Sequence, residues 1–153
     1  GLRGMAGAAV ACTEDVAAEL RAWRQRMGGT LFGMTPYALS ALVGLRDELP
    51  TIGDSVAWAQ AFAGELVERG LRLQPDPPHT NSFLVFADAD PDTVTERVVS
   101  FMEERRIVPS GGWWGARAPG VAMTEVTIHR PALAHDPATV ADWYAELTGG
   151  VQR

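Results

Sequence analysis

Residues 7–12 (Gly-Ala-Ala-Val-Ala-Cys) form a small, apolar run with no polar alternate, which predicts a strand buried on both faces, as inside a parallel sheet. The period then turns helical. Val16, Leu20, Trp23 and Met27 recur three or four apart and predict one buried stripe. Thr13 stands at the expected N-cap, Glu14 and Asp15 fall in the first turn, and Gly28-Gly29 supplies the stop. Thr35-Pro36 opens a second helix, with a capping hydroxyl ahead of a proline suited to the first helical position. Tyr37, Leu39, Leu42, Val43 and Leu45 make this helix apolar around much of its circumference, so a core or a subunit interface should cover it. Asp47-Glu48-Leu49-Pro50 closes it. A third helix is predicted over residues 53–69, with Trp58, Phe62, Leu66 and Val67 on one face and Gly70 beyond its end.

From Leu71 the texture changes. Residues 71–73 and 81–87 read as strands separated by a turn containing Pro75, Pro77 and Pro78. Asp90-Pro91 opens a helix whose Val94, Val98, Phe101 and Met102 should face inward. Ile107-Val108 reads as a short strand, followed by a glycine loop holding Trp113-Trp114. Residues 122–129 alternate, with Ala122, Thr124, Val126 and Ile128 on one face, which predicts a half-buried strand. Asp136-Pro137 opens a last helix with Val140, Trp143, Tyr144 and Leu147 inward and Gly149-Gly150 at its end. Three successive helices after one strand place a boundary near residue 52, ahead of an α+β layer with a small, mostly antiparallel sheet.

Composition narrows function more than fold. The net charge of −6, with no cationic run, argues against a nucleic-acid partner. No apolar run reaches the length of a membrane span, and neither a signal peptide nor a membrane partner is expected. The single Cys12 excludes an internal disulfide and fits a reducing cytoplasm. All 13 basic side chains are arginine, as a high-GC genome would favour. Lysine is absent, so no side chain here can form a Schiff base with a carbonyl cofactor.

His79, His129 and His135 match no metal spacing and read as surface residues. No nucleophile elbow, phosphate-binding loop or dinucleotide fingerprint occurs, and Gly1, Gly4 and Gly7 precede a strand instead of following one. Arg21, Arg24 and Arg26 gather toward the end of the first helix. They either complement its dipole or contact an anion. Trp113-Trp114 either wall a ligand pocket or pack as core, and Arg117 is the best-placed cation of the second half for a carboxylate.

Several of these words, in this order, resemble fold-type-I pyridoxal-phosphate (PLP) enzymes, in particular the threonine aldolase and β-eliminating lyase family. Gly1-Leu2-Arg3-Gly4-Met5-Ala6-Gly7 looks like the segment that follows the family's cofactor lysine; Trp23-Arg24 with Gly28-Gly29 and Thr80-Asn81 stand at matching places, and the likeness covers essentially the whole chain. The resemblance implies an α/β chain: residues 1–52 end the PLP-binding large domain, and residues 53–153 form the linking helix and small α+β domain. It places the Schiff-base lysine immediately before Gly1, so no catalytic residue is expected within the chain. Gln25 and Phe32 stand where threonine aldolases carry basic residues for the cofactor phosphate, so Arg24 or Arg26 substitutes there or the phosphate contact is lost; Gly1, Arg24 and Arg26 are the cofactor-side residues that the resemblance implies. Met123-Thr124-Glu125 stands where the family has its substrate-carboxylate arginine, which leaves Arg3 or Arg117. The implied whole is a cytoplasmic homodimer or homotetramer acting on a small amino acid by aldol-type cleavage or β-elimination, with this fragment inactive alone. A non-catalytic module derived from the same fold, or PLP transamination or racemisation, are the competing readings.

Overall fold

The computed structural model describes residues 4–150. The chain divides into two compact units, Gly1–Pro50 and Thr51–Arg153.

In the first unit, α1 spans Glu14–Arg26 and α2 spans Thr35–Asp47. Acids in the first turn of α1 and Arg24 and Arg26 in its last follow the helix dipole. Arg21 pairs with Glu14 along the exposed side of the helix. Thr13 has the extended backbone of an N-cap, although its hydroxyl makes no capping bond. The second helix starts one residue earlier than the Thr-Pro signal implies, with Met34 at the N-cap and Thr35 already helical.

Two expectations fail in this unit. Residues 7–12 form no strand, because among the described residues the unit offers no second strand to bond with and a strand exists only as a paired ladder. The apolar stripes form but stay uncovered: Val16, Leu20, Trp23 and Met27 of α1 and Leu39, Leu42, Val43 and Leu45 of α2 are exposed. Periodicity says which side of a helix is apolar; covering that side requires a surface this unit does not contain.

The second unit has its own core. Strands β1 (Arg72–Gln74), β2 (Ser82–Ala87), β3 (Trp114–Gly115) and β4 (Ala122–Thr127) lie in the order β1-β2-β4-β3, with every pair antiparallel. Helices α3 (Ile52–Glu68), α4 (Pro91–Arg105) and α5 (Pro137–Thr148) bury one face of this sheet. The register explains which face. Phe83 lies opposite Val126, Val85 opposite Thr124 and Ala87 opposite Ala122, and all six are buried. Leu84, Phe86, Met123 and Glu125 alternate with them and turn to the open face.

Phe62, 1% exposed, is the aromatic junction of the core. Its ring lies 5.0 Å from Trp58, 5.3 Å from Tyr144 in an edge-to-face contact and 6.3 Å from Phe83. Each such pair contributes roughly 0.5–1.5 kcal/mol beyond area burial. Burial raises the Tyr144 phenol well above its ordinary pKa.

The helix ends repeat one solution. Gly28, Gly70 and Gly149 all have positive φ, at 72°, 82° and 71°. At each, the glycine N–H and the next N–H turn back onto the last helical carbonyls: Gln25 and Arg24 for α1, Val67 and Leu66 for α3, Glu146 and Ala145 for α5. This paired closure satisfies carbonyls that would otherwise be orphaned. Behind Gly70, Leu71 is buried beside Leu66, so β1 begins one residue later than Leu71 would suggest. At the other ends, the Asp90 and Asp136 carboxylates accept the Thr93 and Thr139 N–H at 2.9 and 3.1 Å, each ahead of a proline at the helix start.

Ile107-Val108 is not a strand; Val108 is 69% exposed, and β4 takes β3 as its partner on that side instead. Val67 and Met102, expected inward, remain exposed.

Candidate functional site

Gly1 and Arg3 lie outside the described residues. The backbone beyond Gly4 is pinned to α2. The Met5 N–H donates to Ser40 Oγ at 2.7 Å, and Gly7 turns the chain with φ of 118°. Small side chains here leave a groove of about 590 Å³ between residues 4–9 and α2, walled by Met34, Tyr37 and Leu45. Larger residues at Ala6, Ala8 or Ala9 would fill it, so the small-residue composition of the opening stretch has a spatial reason.

Arg24 is placed by the closure of α1. The Gly29 N–H donates to the Arg24 carbonyl at 2.7 Å, and a Cβ on Gly29 would fall 2.9 Å from Arg24 Cγ. Only glycine lets the chain pass so close to that side chain. Arg26 lies over the Trp23 ring at 5.3 Å. Both guanidinium groups are exposed and pair with no carboxylate among the described residues, unlike Arg21. Exposed, unneutralised guanidinium groups at a helix end suit a phosphate dianion. The donor set therefore fits the anionic side of PLP, while its aldehyde has no lysine to meet within this chain.

The tryptophan pair separates. Trp113 is buried against Tyr144, with ring centroids 6.0 Å apart and its Nε1 donating to Ser110 Oγ at 3.0 Å, so it is core. Trp114 opens β3 on the other side and stays 42% exposed, opposite Met123. Arg117 sits in the exposed turn between β3 and β4. Arg24, Arg26 and Arg117 thus fall into two units, the first two on α1 and the third beyond β3.

One cluster has no signature in the sequence. On the open sheet face, Ser82 Oγ lies 3.1 Å from Thr127 Oγ1 and donates to Glu125 Oε1 at 3.3 Å. Only the strand register brings together residues so far apart in the chain. The alternation of residues 122–129 gives the face, but the pairing with Ser82 requires the sheet. His79 is exposed, and the His135 ring stands edge-on to Trp143 at 5.4 Å. Among the described residues no group of three or more His, Cys, Asp or Glu side chains is placed to hold a metal.

No family model matches this sequence, and no curated protein does. Solved structures do match. A proposed L-allo-threonine aldolase from Listeria monocytogenes EGD-E shares the fold over 97% of this chain, with a TM-score of 0.75 and 26% identity. A proposed aromatic amino acid β-eliminating lyase/threonine aldolase from Exiguobacterium sp. 255-15 does so over 97%, with a TM-score of 0.77 and 24% identity. The chain has the fold of the C-terminal part of these threonine aldolase-type structures. It spans 41% and 42% of their lengths. The four-stranded antiparallel sheet with its helices is thus a threonine aldolase-like layer. No helix among the described residues is long and apolar enough to cross a membrane.

Proposed function

We propose that this chain is the C-terminal part of a cytoplasmic PLP-dependent lyase that acts on a small amino acid by Cα–Cβ cleavage or β-elimination. The observation that carries the reading is the shared fold over 97% of the chain with two threonine aldolase-type structures. In this reading residues 1–52 complete the PLP-binding large domain and residues 53–153 supply the linking helix and small domain. PLP, once bound, acts as an electron sink for bonds at Cα.

The chain's own residues have narrower roles. Arg24 or Arg26 holds the phosphate, and Gly1 directly follows the Schiff-base lysine in sequence. Arg117 or Arg3 binds the substrate carboxylate. The exposed apolar faces of α1 and α2 are covered in the whole protein by its upstream part and by a second copy, in a homodimer or homotetramer. Alone, the chain binds no cofactor covalently and is inactive.

Borohydride reduction of the full-length protein, followed by peptide mapping, tests this directly. A pyridoxyl mass on a lysine directly before Gly1 is the expected result. Glycine release from L-threonine or L-allo-threonine indicates aldol cleavage, and pyruvate from serine indicates β-elimination. A full-length protein without any PLP absorption band leaves a non-catalytic module as the remaining reading.

A further inference from the structure

The second unit contains a cavity of about 160 Å³ between α3, α5 and β4. Trp58 and Phe62 border it from α3, Val126 and Ile128 from β4 and the residue beyond its end, Val140 and Tyr144 from α5, and residues 109–111 close the remaining side. Tyr144 is only 3% exposed, yet its phenol meets no hydrogen-bond partner among the described residues: burial alone raises its pKa, with neither a hydrogen bond nor a charge acting on it. Every side-chain polar atom sealed from solvent among the described residues does have a partner. The phenol oxygen therefore faces open space, and the space beside it is this cavity.

The other polar side chains of the lining are engaged. Ser110 Oγ accepts from Trp113 Nε1 at 3.0 Å and donates to the Gly111 carbonyl at 3.1 Å, and the Trp58 indole N–H donates to the His135 carbonyl at 2.9 Å. Glu125 and Thr127 also line the space, but their side chains engage Ser82 on the open sheet face. The volume corresponds to about five waters at liquid density, and each would need two to four polar partners. One free phenol among aromatic and branched walls does not hold that many. Roughly the same volume, when apolar, accepts a benzene ring. An ion would shed its water there with no opposite charge facing it. An alcohol would bring a donor of its own to satisfy, whereas a carbonyl brings acceptor lone pairs alone.

We propose that this cavity binds a small neutral ketone or aldehyde with the bulk of a single ring, its carbonyl oxygen accepting from the Tyr144 phenol and its apolar body against Phe62, Val126 and Ile128. The site uses none of the residues assigned to PLP or substrate, so it stands independently of the lyase reading.

Titration of the 153-residue chain with cyclopentanone, cyclopentane and pyrrolidinium, followed by amide chemical shifts in two-dimensional NMR, tests it. Cyclopentanone should saturate one site, shifting the amides of Gly111 and Tyr144, and should bind about tenfold more tightly than either analogue, the size of one hydrogen bond. Tyr144→Phe keeps the ring and removes the donor. It should reduce cyclopentanone to the level of cyclopentane while melting no lower than the parent, because the phenol leaves no protein partner behind. Gly111→Leu should abolish binding, since a Cβ there meets nothing closer than 3.9 Å and the side chain can grow into the space; Ala132→Leu fills it from another wall if circular dichroism shows that Gly111→Leu disturbs the fold. Equal binding of the three probes, no saturable shift (water alone in the cavity), a clearly lower melting temperature for Tyr144→Phe, or undiminished cyclopentanone binding in any folded variant would overturn the proposal. The readout involves no PLP, so such a failure would leave the lyase reading standing.

Discussion

Phe62 shows how much a single side chain can hold. It joins α3, β2 and α5 through three ring contacts, so Phe62→Ala should cost about 3–5 kcal/mol, read as a lowered urea midpoint with an unchanged slope. Its burial was legible from spacing alone, because Trp58, Phe62 and Leu66 recur at four-residue intervals. Trp113 and Trp114 were not legible. Adjacent residues of extended chain point to opposite faces, and nothing local says which face will meet Tyr144. Asp90 carries a pH signature. The Thr93 backbone N–H first, and the Thr93 hydroxyl second, hold its carboxyl below the usual carboxylate range. A lowered folded-state pKa stabilises the fold above the ordinary carboxylate value, and that contribution disappears as acid protonates the group below about pH 4. Asp90→Asn should therefore lower the urea midpoint at neutral pH and narrow the gap between neutral and dilute-acid midpoints. On the proposed lyase reading, Arg24→Ala in the full-length protein should weaken PLP retention by about tenfold or more, the scale of one charge-assisted hydrogen bond to phosphate, measured by equilibrium dialysis.

Helix ends were the best-read elements because their chemistry is local. Asp90-Pro91 and Asp136-Pro137 announce two helix starts within four residues of sequence, and both carboxylates cap as expected. Asp136→Ala should cost about 1 kcal/mol, visible as a lower melting temperature. The glycine stops were legible too, although the need for the second glycine at α1 emerges only from the approach of Gly29 to Arg24. Gly70→Ala, at φ of 82°, should cost roughly 1–2 kcal/mol, whereas Gly64→Ala inside α3, with open space beside it, should be neutral or stabilising in the same melts. Strand pairing was less legible. Ile107-Val108 has the composition of a strand, but pairing is a competition for an edge, and Trp114-Gly115 takes that place beside β4.

At the level of the whole molecule, the two units differ in what they can hold by themselves. The second closes a core from three helices and a sheet, while Gly44 is the only buried residue in the two helices of the first. Hydrogen exchange on this chain should therefore show slow amides in β2, β4, α3 and α5 and fast ones throughout α1 and α2. The uncovered stripes explain why sequence periodicity identified faces but not their partners. The sheet margins have a consequence of another kind. On one side β1 is three residues long, runs into a segment with Pro75, Pro77 and Pro78, and carries the Arg72–Asp88 ion pair; on the other, β3 is two residues long. Prolines withhold the amide protons a new strand would need, and fixed charge makes an edge costly to dehydrate. Self-association of this chain should accordingly leave the sheet unextended: concentrated samples would cluster as amorphous or helical aggregates, dark to thioflavin T, and not grow as cross-β fibrils.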